Sequence, residues 1–203
     1  MALSLRLRVF GMIVDALNLA GGRSSRLGGV PKSQLSISGV SLLARTVAAV
    51  APVGVRRTVI VGDEGMDAVV AIREEPAFAG PVAAIAAGLR ALPSDSDAVL
   101  VLACDMPEIS SALPLLLTAF AGDGVIAVDR GRRQQLAVVV RTSALTTALA
   151  ALPTVTDASM REVLAGLDLT EVAVPDGSTN DIDTWDDAAR FGATAPLTSG
   201  SPT

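Results

Sequence analysis

Apolar runs of strand length alternate along this chain with Ala- and Leu-rich stretches of helical length. That alternation restricts the architecture more than any other feature. Helical crossovers return each strand beside an earlier one and cover both faces of the sheet. Ala98–Ala103 is the clearest instance, an unbroken apolar run of the kind a strand buried on both faces requires. Ile13–Leu19, Arg57–Val61, Ala68–Arg73, Val125–Val128, Leu136–Val140 and Glu171–Val174 read as further strands, with a polar turn at Asp129–Gln135. Ser41 is placed to cap a helix running to Val50, and Pro81–Leu92 reads as a second helix. Ser110 or Ser111 is placed to cap a third, to Ala121. Thr142–Ala151 and Ser159–Leu167 follow, and Thr184 caps a closing helix to Phe191. The expectation is an α/β fold: a three-layer αβα sandwich around a mostly parallel sheet. A single domain spans residues 1–192, with a disordered tail over 193–203 that is rich in Gly, Ala, Thr, Ser and Pro.

Half of the residues are hydrophobic but only 2% are aromatic, so the core must be packed from Ala, Val, Leu and Ile. The net charge of −5 argues against a general nucleic-acid or anionic-membrane surface. No apolar run approaches the roughly 18 residues of a membrane helix. Met1–Gly11, with Arg6 and Arg8, lacks a long apolar leader core, so the chain is expected in the cytoplasm.

The chain has no histidine, no tyrosine and a single cysteine, Cys104. Ser-His-Asp and Cys-His catalysis, His-ligated metals and internal disulfides are therefore excluded. Carboxylates, arginines, backbone amides and a hard metal ion remain. Lysine occurs once, as Lys32, against fifteen arginines.

That lysine lies in the loop after the first strand, Leu19-Ala20-Gly21-Gly22-Arg23-Ser24-Ser25-Arg26-Leu27-Gly28-Gly29-Val30-Pro31-Lys32. Its glycines let backbone amides approach a ligand and form an anion nest. Arg23, Arg26 and Lys32 add three positive charges, which suits a polyphosphate. The loop is neither a Walker A sequence nor a dinucleotide-binding Gly-x-Gly-x-x-Gly. An ordinary Gly-rich turn is the competing reading, and placement of the only lysine here weighs against it. Lysine is a compact point charge able to reach between phosphates.

The segment resembles the opening signature of the molybdenum cofactor guanylyltransferases, members of the wider Rossmann-like nucleotidyltransferase group. The resemblance covers roughly residues 14–191. It implies that Leu19, Ala20, Gly21 and Gly22 line a nucleotide site and that Arg23, Arg26 and Lys32 handle the triphosphate. Gly80-Pro81-Val82-Ala83 corresponds to the family's base-holding helix start, after an acidic residue assigned here to Glu75. Many members carry Asn where this chain has Gly62, and guanylyltransferases commonly carry Asp where it has Glu75. The base therefore stays open on sequence grounds.

Asp105, in Cys104-Asp105-Met106-Pro107, ends the central strand. A carboxylate there is costly unless it is paired or binds a metal, and by resemblance it holds Mg²⁺ on the nucleotide phosphates. Asp186 and Asp187 suit the first turn of the closing helix. Asp181 and Asp183 have no such account, and resemblance assigns Asp183 to the metal or acceptor side. Arg132 and Arg133 are open between an anionic acceptor and a solvated hairpin.

The implied reaction is Mg²⁺-dependent transfer of GMP from GTP to a molybdopterin-type acceptor with release of pyrophosphate. Its catalytic residues are Arg23, Lys32 and Asp105, and its partners extend to molybdoenzymes or their chaperones. Cytidylyl transfer to the same cofactor, nucleotidyl transfer to a sugar phosphate, and nucleotide binding without turnover are the alternatives.

Overall fold

The computed structural model describes residues 11–22, 24–67 and 69–196. Its main sheet has seven strands: β1 (Val14–Leu19), β4 (Thr58–Val61), β5 (Val70–Ile72), β6 (Ala98–Ala103), β7 (Gly124–Asp129), β8 (Arg132–Arg141) and β9 (Leu169–Ala173). They lie in the order β5-β4-β1-β6-β8-β7-β9. Only β8 runs antiparallel to its neighbours, β6 and β7. The mostly parallel sheet expected from the alternation is therefore present.

The helices are α1 (Leu42–Val50), α2 (Pro81–Ala91), α3 (Leu113–Thr118), α4 (Thr142–Ala150), α5 (Met160–Ala165) and α6 (Trp185–Arg190). In β6, Ala98, Leu100 and Leu102 face a cluster containing Val50 of α1 and Leu113, Leu116 and Leu117 of α3. Val99 and Val101 face the opposite cluster, built from α2, α4 and α5. The period of two thus delivers apolar side chains to both layers, which explains the unbroken run. Gly88 of α2 packs directly on β1 and β4. A Cβ there would fall 2.7 Å from Leu17 Cδ2 and 3.1 Å from Val61 Cγ2.

Chain order and sheet order together fix where a ligand can sit. From β1 the chain moves outward through β4 to β5, then returns to place β6 on the other side of β1. Crossovers leaving in opposite directions open a crevice beyond the carboxyl ends of β1 and β6. The glycine loop follows β1 and Asp105 follows β6, so the two meet there.

Several expectations are corrected. Neither Ser110 nor Ser111 caps α3, which begins after a 3-10 turn at Ile109–Ser111; the Ser111 hydroxyl donates to the Glu108 carbonyl instead. The turn between β7 and β8 is confined to Arg130 and Gly131, both at positive φ (49° and 74°). Arg132–Gln135 are paired with β7 or bulged against it, because the hairpin continues its ladder past the apolar stretch.

A second sheet joins β2 (Ser36–Ile37), β3 (Val40–Ser41) and β10 (Ala193–Thr194) in the order β10-β2-β3. Ser38 and Gly39, at φ 53° and 78°, make the two-residue turn of its hairpin. Ala193 and Thr194 therefore belong to the fold and not to a tail. Residues 197–203, the start of the chain to Phe10, Arg23 and Ala68 lie outside the described residues. Among the described residues, no helix is long and apolar enough to cross a membrane.

Candidate active site

The loop after β1 is held by its ends and by two apolar anchors. Ala20 N–H donates to the Val61 carbonyl at 2.8 Å, continuing the ladder one residue past the strand. Ser24 and Gly28 take left-handed conformations at either end of a 3-10 turn, Ser25–Leu27. Leu27 and Leu35 are buried in a small cluster with Leu42, Ile182 and Ala188. Between these anchors Pro31 starts a second 3-10 turn whose first residue is Lys32. The lysine is thereby aimed across the crevice and not out to solvent.

Asp105 leaves β6 opposite that loop. Its carbonyl accepts the Ile182 N–H at 3.1 Å, which fastens the segment before α6 to the end of the central strand. Ile182 is fully buried, while Asp181 and Asp183 on either side line the crevice. Lys32 Nζ donates to Asp105 Oδ2 at 2.6 Å and also to Asp183 Oδ1. Arg26 approaches Asp183 at 3.5 Å from an exposed position, a contact that contributes little in water. Thr184 and Asp187 form a capping box, so Asp187 is explained by helix initiation.

The electrostatics of this cluster are unbalanced. Oxygens of Asp105, Asp181 and Asp183 lie within 4.8 Å of one another. Burial disfavours the charged form of Lys32, yet Asp105 and Asp183 together hold its pKa above the ordinary value. Burial first, then repulsion from Asp105 and Asp183, raises the pKa of Asp181. Asp105 Oδ1 is buried without a partner. Such a set of hard oxygen donors, one orphaned and one protonation-prone, fits Mg²⁺ or Mn²⁺. Cys104 plays no part as a nucleophile, since burial pushes its thiol far above the usual range.

The other half of the crevice lies against α2. Gly80, at φ 92°, caps the helix and Pro81 opens it, as the sequence reading expects. The backbone of Asp157 packs 3.7 Å from where a Gly80 Cβ would stand, and Asp157 N–H donates to the Ala79 carbonyl at 2.8 Å. The segment before α5 thus forms a wall. Of the two glutamates ahead of α2, Glu74 borders the crevice and Glu75 is exposed outside it. Glu74 is 7% exposed; its Oε1 accepts the Phe78 N–H at 3.1 Å, and its Oε2 is buried with no partner.

Together these groups line a cleft of about 740 Å³. Of the candidates named from sequence, Leu19, Gly21, Gly22, Arg26, Lys32, Gly80, Pro81, Asp105 and Asp183 border it. Ala20 and Gly62 do not. Ala20 packs behind the loop against Leu43 and Ile60. Gly62 supports it: a Cβ there would meet Ala20 C at 2.7 Å and Gly21 N at 2.8 Å. Arg23 lies outside the described residues. Sequence reasoning misplaced the acid by one position at Glu74 and left Ser24, Ser25 and Asp181 undecided, and all four border the cleft. It also passed over Phe78 and Asp157, whose signals are left-handed backbone (φ 60° and 55°) that no composition pattern announces. Arg132 and Arg133 do not reach this cleft, and Arg133 pairs with Glu171 at 2.7 Å.

Residues 16–172 match the model of the MobA-like NTP transferase domain. The chain belongs to that family. Its members are nucleotidyltransferases. No protein of curated function matches the sequence.

Solved structures show the same fold at low identity. Molybdopterin-guanine dinucleotide biosynthesis protein A from Archaeoglobus fulgidus is 22% identical with a TM-score of 0.65, covering 87% of this chain and 96% of its own. The 4-diphosphocytidyl-2C-methyl-D-erythritol synthase of Anaerococcus prevotii is 14% identical with a TM-score of 0.72, over 90% and 96%. Rv0371c of Mycobacterium tuberculosis, solved with manganese, is 17% identical with a TM-score of 0.69, over 89% and 97%.

Proposed function

We propose that this nucleotidyltransferase takes GTP and transfers GMP to a phosphorylated acceptor of the molybdopterin type, releasing pyrophosphate. The observation that carries the choice of base is Glu74. An ionised carboxylate accepts hydrogen bonds and donates none. Glu74 borders the α2 half of the cleft with one oxygen unpaired and the other accepting only the Phe78 N–H, and a carboxylate's two oxygens are complementary to the adjacent N1–H and 2-amino donors of guanine. No other common base presents two donors side by side. The family model and the Archaeoglobus neighbour support the choice of a molybdopterin acceptor.

The acceptor's own phosphate oxygen attacks the α-phosphorus, forming one P–O bond while the bond to the pyrophosphate oxygen breaks. That oxygen is already anionic near neutral pH, so no protein base is required. The chain supplies position and charge. Gly21, Gly22 and Ser24 offer main-chain donors to the phosphates, while Lys32 and Arg26 counter the negative charge that develops on the departing oxygens. Asp105, Asp181 and Asp183 are the residues to hold a divalent ion, which when bound would neutralise phosphate charge.

The test is pyrophosphate release with GTP, CTP, UTP and ATP, each with Mg²⁺ and molybdopterin. A strong GTP preference that Asp105→Ala abolishes without unfolding is expected. Preference for CTP would move the chain to cytidylyl transfer, the class of the Anaerococcus neighbour. Full activity in both Asp105→Ala and Lys32→Ala would remove the catalytic assignment.

A further inference from the structure

Lys32 stands where a cation would stand. Its ammonium bonds Asp105 Oδ2 and Asp183 Oδ1, two of the three carboxylates whose oxygens converge within 4.8 Å. An ammonium and a divalent ion therefore compete for the same oxygens. The third carboxylate, Asp181, has no share in the lysine's hydrogen bonds, and Asp105 Oδ1 keeps no partner at all. The arrangement is satisfied enough to hold together and incomplete enough to accept something better.

We infer that Lys32 is a built-in counter-ion that a divalent cation must displace, so that metal and triphosphate enter this site as a coupled pair. The inference rests on reading the cleft as a nucleotide and metal site. A metal ion arriving alone must break two charge-assisted hydrogen bonds and strand a half-buried ammonium. Among its described residues the loop itself offers that ammonium the positively charged Arg26 and the Gly-Ser backbone, and the carboxylate that lies against Gly21, Glu74, already accepts the Phe78 N–H. A triphosphate supplies the missing anion. The ammonium passes from the carboxylates to the phosphates, and the freed oxygens take the ion.

The lysine has a four-carbon stem on a turn fixed by the Leu35 N–H to Lys32 carbonyl bond at 3.1 Å, so this exchange needs side-chain motion only. Arginine would serve poorly, because its planar fork would hold both carboxylates and release them less readily. A specific use for the chain's only lysine follows: it keeps three mutually repelling carboxylates together until substrate arrives, and disfavours idle metal binding in its absence.

Mn²⁺ binding to the full chain without nucleotide, read from the electron paramagnetic resonance signal of free Mn²⁺, tests this directly. Lys32→Met is expected to bind Mn²⁺ at least about tenfold more tightly than the wild type, because one positive charge and one competitor are gone. Lys32→Arg is expected to show no such gain. GTP is expected to tighten Mn²⁺ binding more in the wild type than in Lys32→Met. Lys32→Gln gives the same comparison if methionine prevents folding, which circular dichroism would reveal. Equal or weaker Mn²⁺ binding in a folded Lys32→Met or Lys32→Gln overturns the counter-ion role alone. Absence of Mn²⁺ binding in every protein, with or without GTP, overturns the metal site and this inference with it.

Discussion

Replacing Glu74 by glutamine tests the base assignment with little risk to the fold. The wild-type carboxylate holds the Phe78 N–H at 3.1 Å through one oxygen and leaves the other buried and unpaired. Glutamine keeps a carbonyl oxygen for Phe78 but puts an amide donor where the free oxygen was. Guanine's donors would then face a donor. A hydrogen bond to a charged group contributes about 1.5–3 kcal/mol, so GTP affinity should fall roughly ten- to hundredfold. Calorimetric titration with GTP and with ITP, which lacks the 2-amino group, reads the effect. Wild-type protein should prefer GTP over ITP, and Glu74→Gln should lose most of that preference. The melting temperature without nucleotide should hold or rise, since an unpaired buried carboxylate has been removed. If Glu74→Gln binds GTP as tightly as the wild type and keeps the GTP-to-ITP ratio, Glu74 does not read the base and the guanine argument fails.

Other residues make separable tests. Gly62→Ala should destabilise the fold by about 1–3 kcal/mol and weaken GTP binding, because its Cβ would sit 2.7 Å from Ala20 C and displace the loop; urea unfolding and the same titration measure both. Arg56→Ala should cost about 3 kcal/mol or more in urea unfolding, since it strips the counter-charge from Asp15, which is fully buried and bonded by Arg56 Nε at 3.0 Å. Asp129 supplies a pH dependence. Burial acts to raise its pKa, but donors from Gly177 and Thr179 outweigh it and the folded value is lowered. Its stabilising contribution is therefore present above the unfolded carboxylate value near pH 4 and is lost as the pH falls below that toward the folded value. Thr179→Val, which removes one donor, should narrow the stability difference between pH 7 and pH 3.

Patterns that repeat over several residues were legible in the sequence. The six residues of β6 declare themselves because both faces are buried, and Ser41 caps α1 through the Ala44 N–H. The loop from Leu19 to Lys32 also stands out, since its composition suits phosphate. Short elements escaped. A two-residue strand such as Ser36–Ile37 has no period to read, and it exists because Ala193–Thr194 and Val40–Ser41 pair with it. The choice between Glu74 and Glu75 escaped for a related reason. Adjacent residues of the same type differ only in which way the backbone turns them, and that is set by contacts to Phe78 and the cleft.

By itself, then, the sequence determined the layer architecture, the glycine-rich loop as a candidate and the separate candidates Lys32, Asp105 and Asp183. It did so because hydrophobic period and residue chemistry are local properties. Only the tertiary structure decided that Lys32 bonds two carboxylates lying 73 and 151 residues away. It also decided that Asp181 joins them and that Gly62 supports the loop from behind. Electrostatic competition depends on distances of a few ångströms, and crossover connections, not sequence neighbours, set those distances.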